Sequence, residues 1–329
     1  MSQSKLTTAN KKYAKKLGWT PEDWGLPSGV FGAALTVVVK KFQTEWELEV
    51  DGICGPMTAS RLSVSKVSEL PQNEFDFLNE TDVIERDSIL VNGKRVPVLW
   101  PYISTPDEEG APKLTGGYSK SKKRTGKGAV IHWPVTYTPA QTIRILNKRD
   151  VGTHFEIGPP IGDDAKVTIY QYVDTNKRAF HAITANDFIG IDVTSPVYAK
   201  KKVLDRLKRL GHAERPIIDN LKINGYRPGP IIGYHENQVN ALTALLAALH
   251  VHCDVVLEAP AHTGNWRNIQ RVKNKAAVKS GVYHHAEVDY PIKRKDGKIR
   301  AQGKWDTAGL DLLEITDNAK RLVIKMLKK

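Results

Sequence analysis

Ala129-Val130-Ile131-His132-Trp133-Pro134 decides how the rest of the chain is read. Three apolar residues, two of them β-branched, predict a short buried strand, and a histidine stands where that strand ends. A second histidine pair, His284-His285, closes another β-type run, Ser280-Gly281-Val282-Tyr283. Beyond it comes Gly303-Lys304-Trp305-Asp306-Thr307-Ala308-Gly309. A catalytic zinc takes three protein ligands and leaves a fourth position open. His132, His285 and Asp306 are candidates for such a set. Lys304, two residues before Asp306, would bring an ammonium group to the same place, where it could stabilise an oxyanion. A lone strand-end histidine is more often structural, so the constellation counts for more than any member.

Around that stretch, strands alternate with helices. Thr138-Pro139-Ala140 opens an amphipathic helix with Ile143 and Leu146 on one face. His154–Ile157, Val167–Val173 and Phe188–Val193 read as strands, Glu236–His250 and Leu310–Leu327 as helical stretches. This alternation predicts an α/β (α+β) domain over 127–329, a mixed central sheet flanked by helices. Segment 195–230 holds one basic helix and a Pro/Gly-rich loop to which no role is assigned.

The N-terminal part has a different texture. Leu6, Ala9, Tyr13 and Leu17 recur at helical spacing. Gly18-Trp19-Thr20-Pro21 stops that helix and starts another, and Phe31–Trp46 supplies an apolar one. Asp51-Gly52-Ile53-Cys54-Gly55-Pro56 is a glycine-rich loop, and a last short helix begins at Thr58. Residues 1–66 thus predict a small three-helix domain. Residues 67–126 read as a linker that carries a β-hairpin around Asn92-Gly93, with Pro97 marking an edge. Gly110–Lys127 reads as a loop. Its cations Lys120, Lys122, Lys123, Arg124 and Lys127 suit either an anionic wall or membrane surface or plain solvent.

Composition bounds the partners. The chain has 329 residues, 40% hydrophobic and 26% charged, as in soluble globular proteins. Two cysteines in unrelated contexts make no disulfide framework. A formal charge of +13 suits nucleic acid, an anionic membrane or an anionic wall. Nucleic acid is disfavoured because no zinc finger, RNP-type motif or helix-turn-helix spacing is present. Residues 1–25 lack a signal-peptide pattern, and no apolar run approaches the ~20 residues of a bilayer span. Synthesis in the cytoplasm is expected.

Two family resemblances rest on particular residues. Val39-Lys40-Lys41-Phe42-Gln43, followed by Leu48-Glu49-Val50-Asp51-Gly52-Ile53-Cys54-Gly55-Pro56-Met57-Thr58, resembles the peptidoglycan-binding module of cell-wall hydrolases. The resemblance implies that Phe42, Gln43, Asp51, Gly52 and Gly55 serve wall binding, although Phe42 and the glycines equally suit a core and a turn. Cys54 is expected to be a buried thiol.

Residues from about 127 to 315 resemble the zinc N-acetylmuramoyl-L-alanine amidases that share a fold with peptidoglycan recognition proteins. The matching segments run in family order: Ala129–Trp133, Gly152-Thr153-His154-Phe155-Glu156-Ile157, Ile169–Val173 with Arg178–Ala182, Asn186–Asp192, His285-Ala286-Glu287-Val288 and Lys304–Gly309. The resemblance implies an amidase fold and Zn²⁺ on His132, His285 and Asp306. It further implies Asp192 as proton acceptor, Lys304 on the oxyanion, and Trp133, Thr153, His154 and His181 along the substrate groove. Thr153 stands where several members have tyrosine, Asp192 where others have glutamate, and Thr307 where proline is usual.

The implied activity is hydrolysis of the amide between N-acetylmuramic acid and L-alanine in peptidoglycan. The expected protein is a monomeric, bacteriolytic bacteriophage endolysin, made in the host cytoplasm and acting on the wall after membrane permeabilisation. A non-catalytic muropeptide-recognition protein and a stem-peptide endopeptidase are the alternatives. His284 and His235 compete with His285 for the second ligand. His250 and His252 with Cys253 imitate a metal cluster, but they close an apolar helix, where an imidazole meets the negative dipole end.

Overall fold

The computed structural model describes residues 3–17, 19–24, 26, 29–45, 49–55, 58–59, 87–290, 292–293, 299–300 and 306–327. The chain divides into two compact units, Met1–Asn79 and Glu80–Lys329.

In the first unit, α1 (Gln3–Leu17) and α2 (Ala33–Glu45) flank a 3₁₀ turn at Pro21–Trp24. Ala14, Trp19, Trp24, Leu35, Val39 and Cys54 are buried together, with Tyr13, Phe31 and Phe42 packed against them. Of the expected third helix, Thr58 and Ala59 are the described residues. The Asp51–Gly55 loop is held by two buried amides. Gln43 Nε2 donates to Asp51 Oδ1, Ile53 O and Thr58 Oγ1, while its Oε1 accepts from the Gly52 amide at 2.8 Å. Asn10, which no sequence pattern singles out, donates to Gly52 O and accepts from the Cys54 amide.

These contacts show what the residues expected to serve wall binding do within the module. Phe42 meets Trp24 edge-on at 5.3 Å inside the core, and Gln43 and Gly52 are buried in the loop's own hydrogen bonds. Gly52 has φ +77, and a Cβ there would lie 2.9 Å from Thr36 Cγ2, so the position requires glycine. Asp51 is exposed, but its Oδ1 is used to cap Ile53 N. Gly55 is half-buried. Phe42, Gln43 and Gly52 therefore shape the module's core and loop.

The second unit begins with the hairpin β1 (Asp87–Val91) and β2 (Lys94–Val98), turned by Asn92 and Gly93 at positive φ. Then follow β3 (Ile103–Ser104), β4 (Tyr118–Lys123), β5 (Lys127–His132), α3 (Pro139–Arg149), β6 (Phe155–Ile157), β7 (Ile169–Gln171), β8 (Lys177–Ala179), β9 (Ile189–Val193) and α4 (Lys201–Arg209). Short strands β10 (Ile217–Ile218), β11 (Lys222–Ile223) and β12 (Ile231–Ile232) precede α5 (Glu236–Cys253) in the chain, and β13 (Asn268–Ile269) follows it. The chain closes with β14 (Ser280–His284), α6 (His285–Val288), β15 (Ile292–Lys293), β16 (Ile299–Arg300) and α7 (Leu312–Leu327).

The central sheet runs β14-β5-β9-β6-β7-β3, parallel except where β6 meets β7. It is the mixed α/β architecture the sequence predicts. Its inner strands are buried on both faces, which is why Ala129–Ile131 and Ile189–Val193 read as continuous apolar runs. Helices α5 and α7 pack on one another, and α5 also meets β6.

The stretch read as linker belongs in part to this unit. Gln171 exchanges hydrogen bonds with both backbone groups of Leu90, Asp174 accepts from Asn92 and Gly93, and Trp100 Nε1 donates to Val167 O. Lys120, Lys122 and Lys123 lie on β4, paired with β8, not on a loop. Arg124 is turned inward, donating to Thr175 O, Gly126 O and Cys253 O, so it is not available to an anionic surface. Among the described residues no helix is long and apolar enough to cross a membrane.

Replacing Gln43 by Leu should strip the Asp51–Gly55 loop of its acceptor and donors at once. The expected loss is about 1–3 kcal/mol in the stability of the first unit, from buried polar groups left unpaired. Calorimetry of the full chain should show its transition lowered; an unchanged transition would contradict this account of the loop.

Candidate functional site

Strand pairing assembles the site. β5 and β9 run parallel with His132 opposite Asp192, so both side chains rise from one face of the sheet at its carboxyl end. β14 pairs with β5 on the other side, His284 opposite Ile131. The residue after β14, His285, therefore arrives beside His132. Asp306 comes in on the returning chain, whose backbone carbonyl accepts from the Ala286 amide.

His132 Nδ1 lies 3.1 Å from His285 Nδ1, and Asp306 Oδ2 lies 2.9 Å from His285 Nδ1 and 3.5 Å from His132 Nδ1. All three residues are buried. Lone pairs this close repel, so a proton or a cation belongs among them. Two imidazole nitrogens and one carboxylate oxygen suit zinc in number and kind. The group is the one set of metal-ligating side chains of this size among the described residues.

The ring of His132 is fixed from behind. His181 Nε2 donates to Phe188 O at 3.0 Å, which leaves His181 Nδ1 as an acceptor, 3.0 Å from His132 Nε2. The proton of His132 thus sits on Nε2, and its Nδ1 lone pair faces His285 and Asp306. This tautomer is assigned from the partners. Holding a ligand's far nitrogen in this way is how metal sites orient their histidines. His181 lines the pocket, and both its ring nitrogens are engaged, one with Phe188 O and the other with His132. Burial and the neighbouring rings of His132 and His154 push its pKa well down.

Burial alone would raise the Asp306 carboxyl, yet the His285 and His132 rings, when protonated, bring it well below the usual carboxylate range. Asp192 accepts from Thr153 Oγ1 at 2.8 Å. The shorter side chain at 153 therefore orients the carboxylate that stands beside His132. His284 points the other way: its Nδ1 meets Thr307 Oγ1 at 2.9 Å, and Thr307 donates to Ile131 O. His235 caps α5, accepting from the Asn237 amide, and His250 Nδ1 is held by Val255 O. None of these three joins the cluster.

A pocket of about 300 Å³ opens over the group, lined by His132, His285, Asp306, Asp192, Thr153 and Trp133 together with residues of α3 and its approach. The latter were not singled out from sequence: Thr136, Thr142, Ile145 and Arg149. A signal was present, since α3 follows the histidine strand directly and Thr138 caps it. Val135, at φ 57 and exposed, is a β-branched residue in left-handed backbone at the pocket edge, the kind of strain that gathers at functional sites.

His154 requires a correction. It is fully buried, its Nδ1 accepts from the Gly190 amide and its Nε2 donates to Lys177 O. It joins strands and does not reach the pocket. Lys304 lies outside the described residues.

The fold and site define a mixed α/β unit with a pocket floored by two histidines and an aspartate, joined to a small helical unit. Residues 9–62 match the family described as "Putative peptidoglycan binding domain". Among solved structures the chain is similar to AmpDH3 from Pseudomonas aeruginosa in complex with anhydromuramic pentapeptide, at 19% identity over 41% of this chain and 49% of that one, TM-score 0.27. A second AmpDH3 structure matches at 18% identity over 46% and 53%, TM-score 0.28. Staphylococcus aureus hydrolase AmiA in complex with its ligand matches at 16% identity over 66% and 87%, TM-score 0.33. The chain thus spans about half the length of the AmpDH3 structures. No curated protein matches it in sequence.

His154 gives a test of pH dependence. Burial lowers its pKa to about 4 from an ordinary 6.5, so the native state holds the ring neutral while the unfolded chain protonates it. The stability it contributes is complete above pH 6.5 and is lost as pH falls toward 4. Urea unfolding across that window should show the loss reduced in His154→Gln; equal slopes in the two proteins would contradict the assignment.

Proposed function

We propose that the chain is a zinc-dependent peptidoglycan amidase that cleaves between N-acetylmuramic acid and L-alanine. The observation that carries the reading is the convergence of His132 Nδ1, His285 Nδ1 and Asp306 Oδ2 on the floor of a pocket that also holds Asp192. The match of residues 9–62 to a peptidoglycan-binding family supplies the polymer.

His132, His285 and Asp306 would hold the zinc, whose chemistry in such a set is to polarise a carbonyl and acidify water. The chain's own residues do the rest. Asp192, oriented by the Thr153 hydroxyl, takes a proton from the attacking water and returns it to the leaving amine. His181 keeps the His132 proton on Nε2. Lys304 is assigned to the developing oxyanion on the strength of the sequence motif alone. The first unit tethers the enzyme to a solid polymer, raising the effective concentration of the scissile bond without new contacts at the site. A wall-binding unit, a hydrolytic site and a charge of +13 fit an enzyme of the endolysin type, made in a host cytoplasm and acting on the wall beyond the membrane.

Purified sacculi should release new L-alanine amino groups, and a chelator should stop that release. Release that persists with chelator would contradict the metal assignment, and release of a different amine would move the cleavage into the stem peptide. Binding without release would make the protein a recognition module. His132→Ala should lose activity by at least about 10³-fold, as expected for a ligand to a catalytic metal. The same variant should still sediment with sacculi, and loss of both functions would contradict two independent units.

A further inference from the structure

Glu156 has no part in the hydrolysis above, yet it stands next to it. In β6 it pairs with Asp192 of β9, which pairs in turn with His132 of β5, so the three side chains form a row on one face of the sheet. Glu156 is fully buried, and among the described residues no cation pairs with it. Its partners are three hydroxyls from three parts of the chain. Thr142 of α3 donates to Oε1 at 3.1 Å, Thr194 beyond β9 also donates to Oε1, and Tyr172 beyond β7 donates to Oε2. Thr142 Oγ1 lies 2.6 Å from Thr136 Oγ1, and both threonines line the pocket.

An apolar residue would suffice to fill this part of the core. A carboxyl wholly removed from water is costly unless its hydrogen bonds are met, and here they are met by three hydroxyls, of which that of Thr142 lines the pocket. The wall formed by Thr136, Thr142 and Ile145 is thereby tied to β6, which pairs with the strand that carries Asp192.

We propose that Glu156 is a positioning residue for the muropeptide: through Thr142 and Thr136 it holds the α3 wall of the pocket in register with Asp192, and so sets how tightly substrate is bound. The proposal rests on reading this pocket as the amidase site. It assigns Glu156 to binding, not to proton transfer with the reacting atoms. The titratable groups that face the carboxyl are Asp192 on β9, and Tyr170 and Tyr172 on and after β7. Burial pushes the carboxyl up to about 7. The shift is toward the neutral acid, and the rotating hydroxyls can satisfy the acid as well as the carboxylate. A glutamine, which resembles the acid in shape and hydrogen bonding, should preserve the clamp, whereas leucine should abolish it.

The test uses the full chain and a soluble muropeptide carrying the lactyl amide. Glu156→Leu and Thr142→Val should each raise KM about tenfold with kcat within about twofold, a loss of binding that ground and transition states share. The double variant should be no worse than Glu156→Leu alone, because both remove one clamp. Glu156→Gln should restore KM to within about twofold of the parent. Amide hydrogen exchange along α3 should quicken in the leucine and valine variants and not in the glutamine one.

A folded Glu156→Leu enzyme with unchanged KM, or one that loses kcat at constant KM, would overturn the proposal, as would a glutamine variant as impaired as the leucine one. Where Glu156→Leu fails to fold, Thr142→Val carries the same comparison. If the parent chain neither binds nor cleaves muropeptide, the reading of the site falls by itself. The exchange measurement then judges the clamp: faster α3 exchange in Thr142→Val supports it, and unchanged exchange overturns it.

Discussion

The parallel pairing of Lys127–His132 with Ile189–Val193 is the constraint on which the site depends. It sets His132 beside Asp192 at the same height on one sheet face. A shift of one residue in either strand would send one of the two side chains through to the opposite face. The register is secured by burial: Ala129, Ile131, Ile189, Ile191 and Val193 are almost wholly enclosed, so a slipped pairing would turn apolar side chains toward the polar pocket. Pairing of β14 on the far side of β5 then delivers His285, and pairing of β6 on the far side of β9 delivers Glu156. One ladder thus orders the two histidine ligand candidates, the proposed base and the carboxyl behind them.

Electrostatics separates the buried carboxyls. Asp306 faces two imidazoles whose protonated forms lower its pKa despite burial, whereas Glu156 has hydroxyls only and is raised toward neutrality. The difference follows from partners rather than depth, since both carboxyls are removed from water. His132 sits between the two regimes. Its Nε2 is committed to the chain through His181 to the Phe188 carbonyl, which directs the Nδ1 lone pair to the side where Asp306 lies. A cation among His132, His285 and Asp306 would offset the cost of burying the carboxylate, and the parts around it are already arranged for that.

Much of this was legible in the sequence, and what was not shares one physical cause. The apolar runs ending in His132 and His284 announced strands of a buried sheet, and the order of motifs pointed to His285 and Asp306. The choice between His284 and His285 follows from register: His284 lies opposite Ile131, whose side chain leaves the sheet on the other face from His132, and His285 is the first residue past the strand. Sequence cannot separate a histidine that reaches a pocket from one that joins two strands, because both need polar partners in a buried place. His154, which joins strands and does not line the pocket, is the case in point. Gln43, Asn10 and Glu156 are hydrogen-bond hubs whose partners lie up to 44 residues away, and no local pattern encodes such a contact. The hairpin at Asn92-Gly93 was readable from its turn, but its attachment to Gln171 and Asp174 was not, so it was left with the linker.

The central claim is that His132, His285 and Asp306 hold one zinc ion. Anomalous scattering at the zinc edge from crystals of the full chain tests it most directly. The account predicts a single peak about 2.0–2.2 Å from His132 Nδ1, His285 Nδ1 and Asp306 Oδ2. A peak on His284 or His181, or zinc-saturated crystals without a peak at these three residues, would contradict it.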